Sequence, residues 1–387
     1  MNFINKKLGY YVCDSVEFES KIQAFLYSNK VNKDVEWVFN DHVFASYPWQ
    51  IEPAETLDEL YDRRARDLRE QYDYLILSYS GGSDSHNILQ SFIRQNLHID
   101  EIVVNTMEKG SKDFTVVNSS VKDSWNTGAE HYLQTVPRLK EAEKFLSRTK
   151  ITILDLTDHL FQTLEKSNDE TWILERKEKL NPVGITRFNY IWFGEMRKKF
   201  DKDKKIAVIL GIDKPKSLII EGKFYLRFND RTANMVSIVN HFKDYPNSTV
   251  EYFYWDPSCA KMLAKQAHTI KKWLEIFPSQ QKLWNVKTTS YRSVLLEHER
   301  ILRNLLYTTW NADWFQVDKP ELGWFCEFDH WFINGFKNTR ANIIWREGVD
   351  YATSLLSNHI RKDSQGNADG LKPFVKSYYV GDINSLV

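Results

Sequence analysis

The chain reads as an α/β protein: an open parallel sheet with helices on both faces, followed by a mostly helical C-terminal unit. Three observations predict this. The stretch LILSYSGGSDSHNILQ at 75–90 ends an apolar run at a glycine turn and starts a helical pattern at once. Short apolar runs recur at 99–105, 150–156 and 205–211, separated by segments with helical spacing. Parallel strands need crossovers of that length, so the alternation predicts a parallel sheet. After residue 250 the short runs give way to longer, Trp-rich amphipathic patterns.

Residues 1–55 read as a mixed N-terminal segment with short strand-like pieces such as Glu36-Trp37-Val38-Phe39. In TLDELYDRRARDLREQY, residues 56–72, the apolar positions Leu57, Leu60, Tyr61, Ala65, Leu68 and Tyr72 make one helical stripe. Arg63, Arg64, Arg66 and Arg69 lie mostly off it and are expected on a solvated face. Tyr74–Tyr79 is expected to be the first strand, and Ile88, Leu89, Phe92 and Ile93 mark the helix after the glycine turn. Residues 99–105, 150–156 and 205–211 supply three further strands. The helices between them are expected at 127–147, interrupted at Pro137, and at 185–200. The α/β domain is expected to span 56–245. In the C-terminal unit, 246–387, Asp256 followed by Pro257 opens a helix as N-cap and first residue. Leu263, Ala267, Ile270 and Leu274 form its stripe, and further helices are expected at 290–307 and 342–360.

With 387 residues, the chain is too long for one small core. Its formal charge is zero, so no overall field draws it to nucleic acid or membrane. Cys13, Cys259 and Cys326 make no CxxC pair, zinc spacing or disulfide framework. The N-terminus MNFINKKLGYYV lacks the apolar region of a signal peptide, and no apolar run is long enough to span a bilayer. A cytoplasmic protein with no membrane segment is the expectation. Its 13 Trp, 19 Tyr and 23 Phe are first of all core rings, since large aromatics mostly serve burial, and only secondarily surfaces for stacking bases.

The glycine turn carries the chemistry. A strand that ends in Ser80-Gly81-Gly82-Ser83-Asp84-Ser85 and runs into a helix offers backbone N–H groups and a positive dipole end. Two glycines allow positive φ and close approach to a ligand. Ser80, Ser83 and Ser85 add hydroxyls. Together these make an anion nest suited to phosphate or pyrophosphate. Asp84 would repel such an anion unless a Mg²⁺ ion lies between them. The alternative is a plain N-cap role for Asp84 or Ser85.

The turn has neither the GxxxxGK[ST] nor the GxGxxG pattern. It resembles the PP-loop, SGGxDS, of the ATP pyrophosphatase (adenine nucleotide alpha hydrolase-like) superfamily, nearest in texture to the synthetase domain of asparagine synthetase. Ser80, Gly81, Gly82, Ser83, Asp84 and Ser85 match all six positions. The resemblance covers about residues 56–225. It implies a HUP-like, Rossmann-like sheet, ATP and Mg²⁺ as cofactors, and cleavage between the α- and β-phosphates. A substrate carboxyl or carbonyl oxygen would become an adenylate, and an amine or ammonia would displace AMP. Charge is expected at the opposite rim, in VILGIDKPK at 208–216: Asp213 as second metal ligand beside Asp84, and Lys214, or Lys216, stabilising phosphate charge. The alternative there is a solvated Asp-Lys turn.

Other candidates are weaker. Lys261, Lys265, His268 and Lys272 share one face of the helix after Pro257 and would suit phosphates or a nucleic acid, though such faces are usually solvated. Cys259 sits at a helix start, where a thiol pKa can fall, but a small buried residue is the simpler reading. His86, beside the loop, is expected on the helix surface. Glutamine-using relatives carry Cys directly after Met1, and here Asn2 stands there, so glutamine hydrolysis in cis is not expected. The cysteine pairs of the thiolating and reductase branches are also missing. The acceptor stays unidentified, a small molecule or a nucleic acid. The alternatives are a base- or tRNA-modifying enzyme transferring sulfur or an amino group, and a non-catalytic nucleotide-binding protein.

Overall fold

The structure, a computed structural model, describes residues 6–111, 130–167, 169–175, 180–187, 191–212, 214–230, 247–285, 292–311, 314, 326–362, 366 and 368–383. The N-terminal segment folds as a small antiparallel sheet of β1 (Tyr10–Cys13), β2 (Val16–Phe18) and β3 (Glu36–Val38), with β1 in the middle and helix α1 (Lys21–Val31) inserted. Ser20 caps α1 by accepting from the Gln23 N–H, and Asn32 ends it in the left-handed conformation. Helix α2 (Leu57–Gln71) starts with a capping box between Thr56 and Glu59. Its apolar stripe is buried, as the spacing predicts.

The central sheet is parallel and five-stranded. Its strands are β4 (Tyr74–Ser78), β5 (Glu101–Thr106), β6 (Lys150–Asp155), β7 (Ile206–Leu210) and β10 (Ser248–Tyr252), in the order β10-β7-β4-β5-β6. The parallel sheet stands as predicted, with one strand more. β10 lies past residue 245, where the sequence pattern ends the α/β domain. Its sequence, STVEY, lacks the continuous apolar run that marks β7, whose five residues are all buried. Between β7 and β10 the chain forms β8 (Lys216–Ile220) and β9 (Lys223–Asn229). Near the C-terminal end β11 (Ile360–Lys362) pairs with β12 (Ala368–Leu371), and β8 and β9 join β13 (Val375–Asp382) in an antiparallel sheet, order β13-β9-β8. The C-terminal unit is therefore not purely helical.

Helix α3 (Ser83–Arg94) follows the glycine turn. The 127–147 pattern becomes a π-helical segment, Glu130–Thr135, continued by helix α4 (Val136–Ala142). Pro137 sits in the first turn of α4, where its missing N–H is harmless, so the change of helix type takes the place of a break. Asp256 and Pro257 open a 3₁₀ turn that runs into helix α5 (Ala260–Ile276). Helix α6 (Arg292–Leu306) falls where the pattern puts it, while α7 (Arg340–Leu355) stops short of the expected residue 360, which begins a strand.

The three predicted segments share their cores. One apolar cluster joins Leu8, Tyr11 and Trp37 to the sheet residues Leu75–Leu77 and Ile206–Leu210, and on to Trp255, Leu263, Tyr307 and Ile383. A second joins Ile22 and Phe25 to Leu160, Phe332 and Trp345. Most of the largest fully buried side chains are aromatic, so core filling explains much of the ring content. Among the described residues no helix is long and apolar enough to cross a membrane.

Candidate functional site

The strand order reverses between β4 and β7. The chain runs outward from β4 to β5 and β6, then returns to the other side of β4. Open α/β sheets bind ligands in the crevice at this point, outside the carboxyl ends of the strands. Residues 80–85 lie there. Gly81 has φ +69°, and Gly82, at φ −68°, is the N-cap of α3. The first-turn N–H groups of α3 have no acceptor within the helix and point out of its end. Gly211, just past β7, packs on this turn: a Cβ there would lie 2.9 Å from the Ser85 nitrogen.

The serines do a different job from the one expected. Ser80 Oγ accepts from the Gly82 N–H at 3.2 Å and faces Ser85 Oγ at 3.3 Å. Ser85 Oγ accepts from the Ser80 N–H and donates to the Gly82 carbonyl, both at 3.2 Å. These hydroxyls hold the loop in shape, and Ser83 is buried.

The segment at 130–138 covers the loop. Thr135 Oγ1 donates to the Ser80 carbonyl at 2.7 Å, and the buried Arg138 donates to the Gly81 carbonyl. The Arg138 guanidinium lies 4.4 Å from the Trp310 ring and 4.9 Å from Trp314, and burial lowers its pKa to about 10. Beside this cover a small cleft opens between Ser80, Asn105, Thr106, Met107, Glu130, His131 and Thr135. Asn105 Oδ1 and His131 Nδ1 are buried without a hydrogen-bond partner. Nothing local in the sequence marks Thr135 or Arg138, because their partners are 55 and 57 residues away.

Asp84 and Lys214 come together across the crevice. Lys214 Nζ is 3.7 Å from Asp84 Oδ1 and 2.9 Å from Glu299 Oε2, and Lys214 is only 3% exposed. Tyr307, just after α6, donates to Asp84 Oδ1, and Tyr254 donates to the Asp84 carbonyl at 2.9 Å. Burial, then the Asp84 charge, push both phenols well above their ordinary pKa, so they stay donors. Burial pushes the Glu299 carboxyl up, but Lys214, Arg303 and His298 outweigh it and hold it below the usual range. No side chain donates a hydrogen bond to Asp84 Oδ2 among the described residues. Asp213 lies outside the described residues. Among the described residues no three His, Cys, Asp or Glu side chains are grouped to hold a metal. One carboxylate with an open oxygen, at a helix N-terminus suited to phosphate, still fits Mg²⁺, which takes few protein ligands and shares phosphate oxygens.

Other expectations change with tertiary context. His86 is buried, not on the helix surface: Nδ1 is 2.8 Å from the Tyr79 hydroxyl, and Trp314 packs edge-on at 5.1 Å. Burial, then the Arg138 charge, hold its pKa down at about 3. The unfolded chain binds this proton near pH 6.5 and the folded chain does not, so stability falls as pH drops through 6.5. Between pH 7 and pH 5, His86 alone should remove about 2 kcal/mol. Urea unfolding at the two pH values should show a smaller loss in His86→Gln. An equal loss in both proteins would refute the assignment.

The basic face of α5 is occupied. Lys261 Nζ pairs with Glu55 at 2.5 Å, and Lys265 and Lys272 pair with Glu52 at 2.7 and 2.5 Å. His268 Nε2 lies 3.0 Å from the Trp49 carbonyl. Arg64 is also not solvated: it is 6% exposed and bonded to Glu251 at 2.9 Å. Burial pushes the Cys259 thiol up to about 11, so the helix start does not activate it. No protein-family model matches the chain, and no curated protein matches it.

Proposed function

We propose that the chain binds ATP with its phosphates at the Ser80–Ser85 loop and splits it between the α- and β-phosphates, releasing AMP and pyrophosphate. One observation carries this reading: SGGSDS lies between the central parallel strand and its helix, where the strand order reverses, with Asp84 and Lys214 facing each other across the crevice. The first-turn N–H groups of α3 hold phosphate oxygens through hydrogen bonds and the helix dipole. Lys214 offsets charge on the departing pyrophosphate. A Mg²⁺ ion, when bound, would neutralise phosphate charge between Asp84 and the ligand. A carboxyl or carbonyl oxygen of the acceptor attacks the α-phosphate, and an amine or ammonia then displaces AMP. The lysines that a nucleic-acid acceptor would use on α5 are ion-paired to Glu52 and Glu55, which supports a small-molecule acceptor. Three buried free cysteines suit a reducing compartment such as the cytoplasm.

The test uses α-phosphate-labelled ATP, Mg²⁺ and the purified chain, with small-metabolite and nucleic-acid pools added in turn. AMP should form with one pool, and Asp84→Asn should lower its rate about 10²-fold or more. Release of ADP, or an Asp84→Asn protein that makes AMP at the parental rate, would sink the reading.

A further inference from the structure

Two side chains of the C-terminal unit reach the groups on which the proposed chemistry depends. α6 and the residue just beyond it carry Glu299, Arg303 and Tyr307 at intervals of four. That spacing puts all three on one helical stripe. Tyr307 donates to Asp84 Oδ1, and Glu299 holds Lys214 at 2.9 Å while Asp84 lies 3.7 Å from the same ammonium.

Tyr307 is itself held firmly. Its ring is 6.0 Å from Tyr254 and 6.2 Å from Tyr61, and all three rings are buried. Tyr254 is anchored by Asn87, and Tyr61 donates to the Leu306 carbonyl at 3.0 Å. A hydroxyl fixed in this way commits one Asp84 oxygen and leaves the other without a hydrogen bond among the described residues.

Glu299 acts on Lys214. It is the nearer of these two carboxylates, so removing it would let the ammonium move toward Asp84. That would occupy the carboxylate a cation needs and withdraw the ammonium from a phosphate.

We infer that Tyr307 and Glu299 are positioning residues of the site: Tyr307 orients the Asp84 carboxylate toward a phosphate-bound cation, and Glu299 draws Lys214 away from Asp84 toward an incoming phosphate. This rests on the nucleotide reading above. Part of the site is thus built by residues that follow the parallel sheet in the chain.

The experiment measures binding of α,β-methylene ATP, which cannot be split at the proposed bond, by calorimetry with and without Mg²⁺. The parental chain should bind more tightly with Mg²⁺, and Asp84→Asn should lose that gain. Tyr307→Phe keeps the ring and removes only the hydroxyl. It should reduce the Mg²⁺-dependent gain about tenfold and leave Mg²⁺-free binding unchanged. Glu299→Gln should weaken binding about tenfold without Mg²⁺ and also shrink the Mg²⁺-dependent gain, and Glu299→Asp should restore part of both. A residue that only supports the fold would not separate the two conditions or be rescued by Asp.

A Tyr307→Phe protein with the full Mg²⁺-dependent gain, or a Glu299→Gln protein with parental affinity, would overturn the inference. Failure of the parental chain to bind the analogue would instead overturn the nucleotide reading, and the inference with it.

Discussion

Gly81→Ala is expected to unfold the loop and abolish nucleotide binding, whereas Gly82→Ala is expected to be tolerated. Gly81 has φ +69°, a left-handed conformation that costs an alanine about 1–2 kcal/mol. The added Cβ would also lie 2.6 Å from Thr135 Cα and 2.9 Å from the Thr135 nitrogen. These are backbone atoms, which cannot swing away as a side-chain tip can, and overpacking adds about 1–3 kcal/mol. A total loss of about 3 kcal/mol in urea unfolding is expected, with affinity for α,β-methylene ATP reduced about 100-fold or more. At Gly82 φ is −68°, and the nearest contact of a new Cβ is the movable Ser80 Oγ at 3.2 Å. Alanine there should change stability by under about 1 kcal/mol. Equal behaviour of the two variants would remove both the strain and the close-approach arguments. The contrast also refines what the two glycines do. One makes room for the covering segment, and the other is the N-cap.

Lys21→Met is expected to destabilise the fold by about 3–5 kcal/mol, because it leaves a buried carboxylate without its cation. Lys21 and Asp230 are both fully buried, with Nζ 2.6 Å from Oδ2. Asp230 also accepts from the Tyr11 hydroxyl at 2.8 Å and from the Phe374 N–H at 2.7 Å. Lys21 donates further to the Lys372 carbonyl at 2.5 Å and lies 4.9 Å from the Phe374 ring. The pair therefore ties together α1, the end of β9 and the lead-in to β13. Asp230→Asn keeps an acceptor for the Phe374 N–H but leaves Lys21 charged and unpaired, so a comparable loss is expected. Urea midpoints at neutral pH read both variants. A loss below about 1 kcal/mol in each would mean that the charges are hydrated, as at a surface pair.

The strands most legible in the sequence were those buried on both faces. β4 and β7 begin and end within two residues of the apolar runs at 74–79 and 205–211, since a strand covered on both faces has few polar positions to interrupt its run; β6 matches 150–156 as well, although as the edge strand it is largely exposed. β10 and β13, STVEY and VKSYYVGD, mix polar with apolar residues and gave no such signal. Pairing with β7 and with β9 makes them strands, and that pairing is non-local. The four arginines of α2 also look alike in sequence. Arg64 alone of the four is buried, because it is the one that meets Glu251, 187 residues away.

The same division holds at the candidate site. Its center was legible because the requirements of a strand–loop–helix turn are local: glycine where φ is positive, glycine as N-cap, and small polar residues that bond within six positions. The sequence by itself therefore determined the parallel architecture and the place of the Ser80–Ser85 loop in it. Only the tertiary structure decided which charges and hydroxyls surround that loop. Tyr307 lies 223 residues from Asp84, and Arg138 lies 57 from Gly81. It also decided that the lysines of α5 face Glu52 and Glu55. A charge is free or paired according to what folds against it, and burial sets the strength of each pairing; neither is encoded within one segment.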